Sequence, residues 1–186
     1  PQNPKTPSFW GVNSIILIIL CYHYILCDNN INFYTRGSSY EGQNKNKLLK
    51  YIKNIPSYVD MNKLCLKYNI KGKDNLIAFR GELIMTKKKF NTNWSDKMKN
   101  SRNTVAGLVN SKTINPLLAR DTSFVVYELV DPVLSILEQF ENIKKLKLKL
   151  VKFEIFNIMN YDLLSKYLLK RREESKYLID GIIITN

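Results

Sequence analysis

Residues 76–85 read Leu76-Ile77-Ala78-Phe79-Arg80-Gly81-Glu82-Leu83-Ile84-Met85, an apolar run of strand length that carries an arginine and a glutamate around a glycine. Glycine inside a strand weakens it and marks either a bulge or a place where a ligand or another backbone comes close. Working outward, further strand-like runs lie at residues 31–35, 124–130, 147–155 and 177–185. Residues 43–55 predict a basic amphipathic helix with Leu48, Leu49, Ile52 and Ile55 on one face, stopped at Pro56. Residues 87–99 predict a basic, solvated helix, and residues 161–176 another. Asp131-Pro132 offers an N-cap and first helical position for a helix through Leu134, Leu137 and Phe140. Short strands mixed with helices, without regular βαβ alternation, define an α+β chain.

The 186 residues fit one ordinary domain, and 45% hydrophobic content is enough to build a core, which excludes wholesale disorder. A formal net charge of +13, from 29 Lys and Arg against 16 Asp and Glu, favours a polyanionic partner. Three cysteines suit a reduced intracellular protein, in cytoplasm or nucleus, better than a disulfide scaffold. Residues 9–27 are the most apolar stretch; their length brushes the lower limit for a membrane span, but β-branched and aromatic content favours buried strands, and no membrane attachment is expected. Cys21, His23 and Cys27 share a strand face and could meet Cys65 around a metal, yet their spacing fits no zinc signature, and buried thiols with a core histidine explain them. His23 is the sole histidine, which sets aside a histidine-based triad.

Four short segments are candidates for chemistry. Tyr34-Thr35-Arg36-Gly37 reads as a strand entering a glycine turn, Arg80-Gly81-Glu82 as charges astride a close approach, and Asp180-Gly181-Ile182 as a carboxylate at the mouth of a buried strand. Each has an ordinary structural explanation alone. Asn100-Ser101-Arg102-Asn103-Thr104-Val105-Ala106-Gly107 is more specific, because an arginine and two asparagines beside small residues suit a phosphate-positioning turn into a helix.

Arg36-Gly37 with Glu41-Gly42, then Arg80-Gly81-Glu82, then residues 100–107, then Tyr127, and finally Arg172 ahead of Ile179-Asp180-Gly181 follow the order found in NAD-dependent DNA ligases. The sequence resembles the adenylylation domain of that family, most closely the versions of large DNA viruses, over residues 31–56, 77–130 and 172–186. The resemblance implies a nucleotidyltransferase (ATP-grasp-like) fold of antiparallel sheets flanked by helices, truncated at both ends. Residues 1–186 would be a single incomplete adenylylation domain, with 1–30 a divergent N-terminal strand region. It implies nick sealing in double-stranded DNA, in repair or replication, by a monomer that uses NAD and Mg²⁺ through a lysyl-AMP intermediate. Arg36 would contact a nucleotide or DNA phosphate and Glu82 the ribose hydroxyls. Arg102 and Arg172 would act on phosphates, with Arg102 in the catalytic group and Arg172 in the cofactor-binding one. Asp180 would serve catalysis and the metal.

The resemblance also marks departures. The lysine and aspartate of the expected Lys-x-Asp-Gly fall on Ser8 and Trp10, with only Gly11 in register; Lys5 is too distant. Serine cannot form the phosphoramidate, so self-adenylylation of this chain is expected to fail. Asn110 lies near the place of a second arginine, and Thr185 stands where a lysine closes the strand after Asp180. The family's flanking modules are not within the sequence, and the chain reads as a fragment. The alternatives are a descendant that grips nucleic acid without chemistry, and a protein anchored in a membrane by residues 9–27.

Overall fold

The computed structural model describes residues 21–27, as backbone, together with 30–35, 42–73 and 76–185. Among them one antiparallel sheet runs in the order β2-β1-β3-β4, built from β1 (Cys21–Cys27), β2 (Asn30–Thr35), β3 (Ile77–Met85) and β4 (Thr122–Asp131). β1 lies between β2 and β3, pairing Tyr24 with Phe33 on one side and with Phe79 on the other. Residues 76–85 therefore do fix the fold: β3 alternates between buried and half-buried positions and is an interior strand. The chain is α+β.

One face of the sheet carries the core. Phe33, Phe79 and Phe124 are fully buried, with the Phe33 and Phe124 rings edge to face at 5.4 Å, and Leu48, Ile52, Met61, Met85 and Leu129 fill the remaining volume. Gly81 is set by this packing. A Cβ there would stand 2.5 Å from the Val125 carbonyl oxygen and 2.7 Å from two ring carbons of Phe124. The register with β4 slips between Arg80 and Gly81, so the glycine marks a bulge where a neighbouring strand closes in.

The helices are α1 (Tyr58–Tyr68), α2 (Lys87–Asn93), α3 (Ser101–Asn110), α4 (Pro116–Asp121), α5 (Ile136–Lys145) and α6 (Tyr161–Glu174). Five of the sequence expectations change. Residues 43–55 form a single 3-10 turn at Asn46–Leu48 followed by irregular turns, because Gln43 and Lys45 pair with Thr35 and Phe33 and hold the chain extended. Its expected apolar face survives, since Leu48 and Ile52 are buried. Asp131 does not cap a helix: it closes β4 and accepts the Lys73 amide, while Ser135 and Glu138 form the capping box that starts α5. Residues 87–99 are helical only to Asn93, and Trp94 is buried rather than solvated. Residues 147–155 and 177–185 are not regular strands; the first makes one parallel bridge, Val126 to Leu150, and no described segment ladders with the second.

The outer edge of β4 is satisfied by mixed means. Val126 donates to the Lys149 carbonyl and accepts from Val151, both at 2.8 Å. Two residues earlier, the Asn54 side-chain amide donates to the Phe124 carbonyl at 2.5 Å and accepts its N–H at 2.9 Å. One asparagine thus stands in for a strand residue and covers an edge that would otherwise present unpaired groups.

Candidate nucleotide-binding site

β3 places Arg80 and Glu82 on the half-buried face of the sheet, opposite the core face that carries Phe79 and Leu83. Arg80 spends its guanidinium on Glu128 directly across on β4, at 2.6 Å. Glu82 has a different environment. Burial pushes its carboxyl above the ordinary range, and the Arg102 guanidinium pulls it part of the way back.

Arg102 comes from the first turn of α3. Asn100 caps that helix by accepting the Asn103 N–H at 2.8 Å, and its carbonyl accepts the Thr104 hydroxyl at 2.7 Å. Asn100 is therefore a structural cap rather than a free donor. The small residues have the same kind of reason: Ser101, Thr104 and Val105 are buried, so α3 lies close against the sheet, and Arg102 is left projecting into solvent. Its guanidinium pairs with the Asp180 carboxylate, both side chains being roughly half exposed.

Asp180 lies in the irregular segment after α6, and Arg172 at the end of α6 holds that segment in place. The Arg172 guanidinium donates to the carbonyls of Ile179 at 3.1 Å and Asp180 at 2.7 Å. In turn the Lys87 ammonium donates to the Arg172 carbonyl at 2.9 Å, and the Lys87 N–H to the Lys176 carbonyl at 2.8 Å. Arg102, Asp180 and Arg172 are thus joined by direct contacts drawn from a helix start, a loop and a helix end, and the Arg102 charge reaches Glu82 on the strand. Of the sequence candidates, Arg36 and Ser8 lie outside the described residues.

Neighbouring groups went unread in the sequence. Asp121 accepts from the Trp94 indole at 2.9 Å and from Asn93 at 2.8 Å, and pairs with Lys89 at 3.3 Å. Burial raises this carboxyl, but hydrogen bonds from Trp94, Asn93 and Lys89 outweigh it and hold the group below the usual carboxylate range. No local signal links these residues, which meet only because α2 and α4 fold together. Cys65 is buried and its thiol is pushed up to about 11, so it does not offer a thiolate at neutral pH. Among the described residues no group of three His, Cys, Asp or Glu side chains could hold a metal, and the side chains of residues 21–27 fall outside the description.

A carboxylate and two guanidinium groups stand near a half-buried Glu at the rim of an antiparallel sheet, a set of charges of the kind that phosphorylated ligands engage. Sequence comparison gives the family. The profile of the NAD-dependent DNA ligase adenylation domain matches residues 21–185, and the chain belongs to this family. It is 35% identical over 161 residues to a DNA ligase of Acanthamoeba polyphaga mimivirus, covering 86% of this chain and 23% of that relative. It is 32% identical over 164 residues to a DNA ligase of Ureaplasma urealyticum serovar 10, covering 81% of this chain and 23% of the relative. The chain spans about a quarter of the length of the curated relatives it matches. No described helix is long and apolar enough to cross a membrane.

Proposed function

We propose that this chain is the nucleotide-gripping part of a DNA ligase that takes adenylate from NAD and passes it to the 5′-phosphate at a nick, on a nucleotidyltransferase (ATP-grasp-like) scaffold. The observation that carries the reading is Arg102, which acts on Glu82 and pairs with Asp180, so that three candidates far apart in sequence share one electrostatic centre. In this reading the Glu82 carboxylate accepts hydrogen bonds from ribose hydroxyls. Arg102 leaves Asp180 to neutralise phosphate oxygens, and Arg172 keeps the Asp180 segment in position beside them. Asp180 fits Mg²⁺, which takes one or two carboxylates together with phosphate oxygens, and the ion supplies charge neutralisation at the phosphate. Arg36 belongs to the proposed set on sequence grounds. The partners are nicked double-stranded DNA and NAD, and the unit acts as a monomer inside the cell. Residues 1–186 belong to one adenylylation domain, with 1–30 as its divergent N-terminal strand region.

The nucleophile separates two forms of this proposal. Ser8 and Trp10 occupy the lysine and aspartate positions, so the chain as written binds the nucleotide without forming the lysyl adduct; the second form is a grip on nucleic acid alone. Calorimetric titration with AMP and NAD distinguishes them. Glu82→Gln and Arg102→Ala each weaken nucleotide binding about tenfold, the effect of losing one hydrogen bond to a charged group. Equal affinity in both variants and the parent would overturn the nucleotide-site reading, while absence of nucleotide affinity with retained nicked-DNA affinity would select the second form.

A further inference from the structure

Lys149 and Lys176 place their ammonium groups 5.2 Å and 5.6 Å from the centroid of the same ring, that of Tyr177. The Tyr177 hydroxyl is buried and has no hydrogen-bond partner among the described residues. A third cation stands close by: the charge of Lys89 acts on both Lys149 and Tyr177. Lys89 itself is committed to Asp121 at 3.3 Å and to the Arg120 carbonyl at 3.2 Å. Among the described residues no carboxylate forms an ion pair with Lys149 or Lys176. Two ammonium groups therefore lie over one ring whose hydroxyl is buried and unpaired, Lys89 adds positive charge to the neighbourhood, and the Asp121 carboxylate that pairs with Lys89 is already engaged.

Placement is fixed by backbone. The Lys149 carbonyl accepts from Val126 on the outer edge of β4, and the Lys176 carbonyl accepts from Lys87 at the start of α2. Tyr177 precedes Asp180 by three residues, so the cluster adjoins the candidate nucleotide site and shares no residue with it. Burial and the Lys89 charge both depress Lys149, a cost that an anion would relieve. A phosphate ester complements every part of this arrangement, because it brings negative charge to the lysines and acceptor oxygens to the phenol.

We propose that Lys149, Lys176 and Tyr177 form a second phosphate-binding site beside the nucleotide site, with the lysine ammonium groups on the phosphate oxygens and the Tyr177 hydroxyl donating to one of them. Lysine side chains rotate readily and can follow the incoming phosphate, and binding in this way requires side-chain movement that uncovers the buried hydroxyl. The source of the phosphate rests on the ligase reading: a DNA phosphodiester or the NAD pyrophosphate. The site itself does not depend on it.

The test begins with inorganic phosphate titrated into the whole chain while the lysine Cε and tyrosine ring resonances are followed by NMR. The Lys149, Lys176 and Tyr177 signals move together and saturate. Lys149→Ala, Lys176→Ala and Tyr177→Phe each weaken that binding about tenfold, whereas Lys50→Ala, which removes a lysine lying over a different ring (Tyr51, at 4.9 Å), leaves it unchanged. Tyr177→Phe keeps the ring and its packing, so its effect does not depend on the alanine variants folding. Binding to nicked duplex and to NAD at several salt concentrations then separates the sources: each lysine lost lowers the DNA salt slope by about one for a phosphodiester, or lowers NAD affinity alone for the pyrophosphate. Saturable phosphate binding in a chain that takes up neither DNA nor NAD would sink the ligase reading and support this site. Unmoved lysine and tyrosine resonances, or wild-type phosphate affinity in all three variants, overturn the site whatever DNA and NAD do.

Discussion

Gly81 shows how a motif residue can be held by packing. Gly81→Ala must push a methyl into the Val125 carbonyl and the Phe124 ring, so a loss of about 1–3 kcal/mol in urea unfolding is expected. A neutral Gly81→Ala would mean that β3 and β4 do not close up as described. Asp121 gives a pH signature. Its folded pKa is depressed, so the stability it contributes is present above the unfolded value of about 3.9 and is lost as pH falls through the folded one. Asp121→Asn should cost about 1–3 kcal/mol at neutral pH, with the difference from the parent shrinking as the solution is acidified below about pH 4. A difference that stays constant with pH would assign the effect to packing alone. At this scale the sequence was readable where chemistry is local: Arg80-Gly81-Glu82 announces a charged strand with a close approach. It was silent on Asp121 and Trp94, because that hydrogen bond spans 27 residues and depends on how two helices dock.

The elements differ widely in what anchors them. α3 buries Ser101, Thr104, Val105, Leu108 and Val109, whereas α6, though longer, has no buried residue and carries exposed pairs such as Lys170 with Glu174 at 3.9 Å. Hydrogen exchange should therefore find α6 amides exchanging faster than those of α3; the reverse order would show that α6 is held by contacts outside the described residues. Asn54 is the element-scale test of the sheet edge. Asn54→Ala strips Phe124 of both its outer partners, and a loss of about 1–3 kcal/mol follows, read by denaturant unfolding. Elements set by apolar periodicity, β2, β3 and β4, were legible. Helices α1 and α4 were not, and residues 43–55 misled, because amphipathic spacing records which face is buried and not whether neighbouring residues prefer to pair with a strand. The ends of helices followed polar caps, Ser135 and Asn100, rather than the nearest proline.

For the whole molecule, ordered short motifs carried more information than composition. The +13 charge names a class of partner without choosing among polyanions, while Arg102, Glu82, Asp180 and Arg172, spread along the chain, become meaningful only when folding links them. That linkage underlies the central proposal, that the scaffold is an adenylate site and that Ser8 stands at the position of its nucleophile. The direct test is intact-mass analysis after incubation with Mg²⁺ and NAD, comparing the chain as written, the Ser8→Lys/Trp10→Asp variant, and that variant with Asp180→Ala. The account predicts one added adenylate in the restored variant alone. An adenylate gained by the unaltered chain, no gain on restoration, or a gain that survives Asp180→Ala would contradict it.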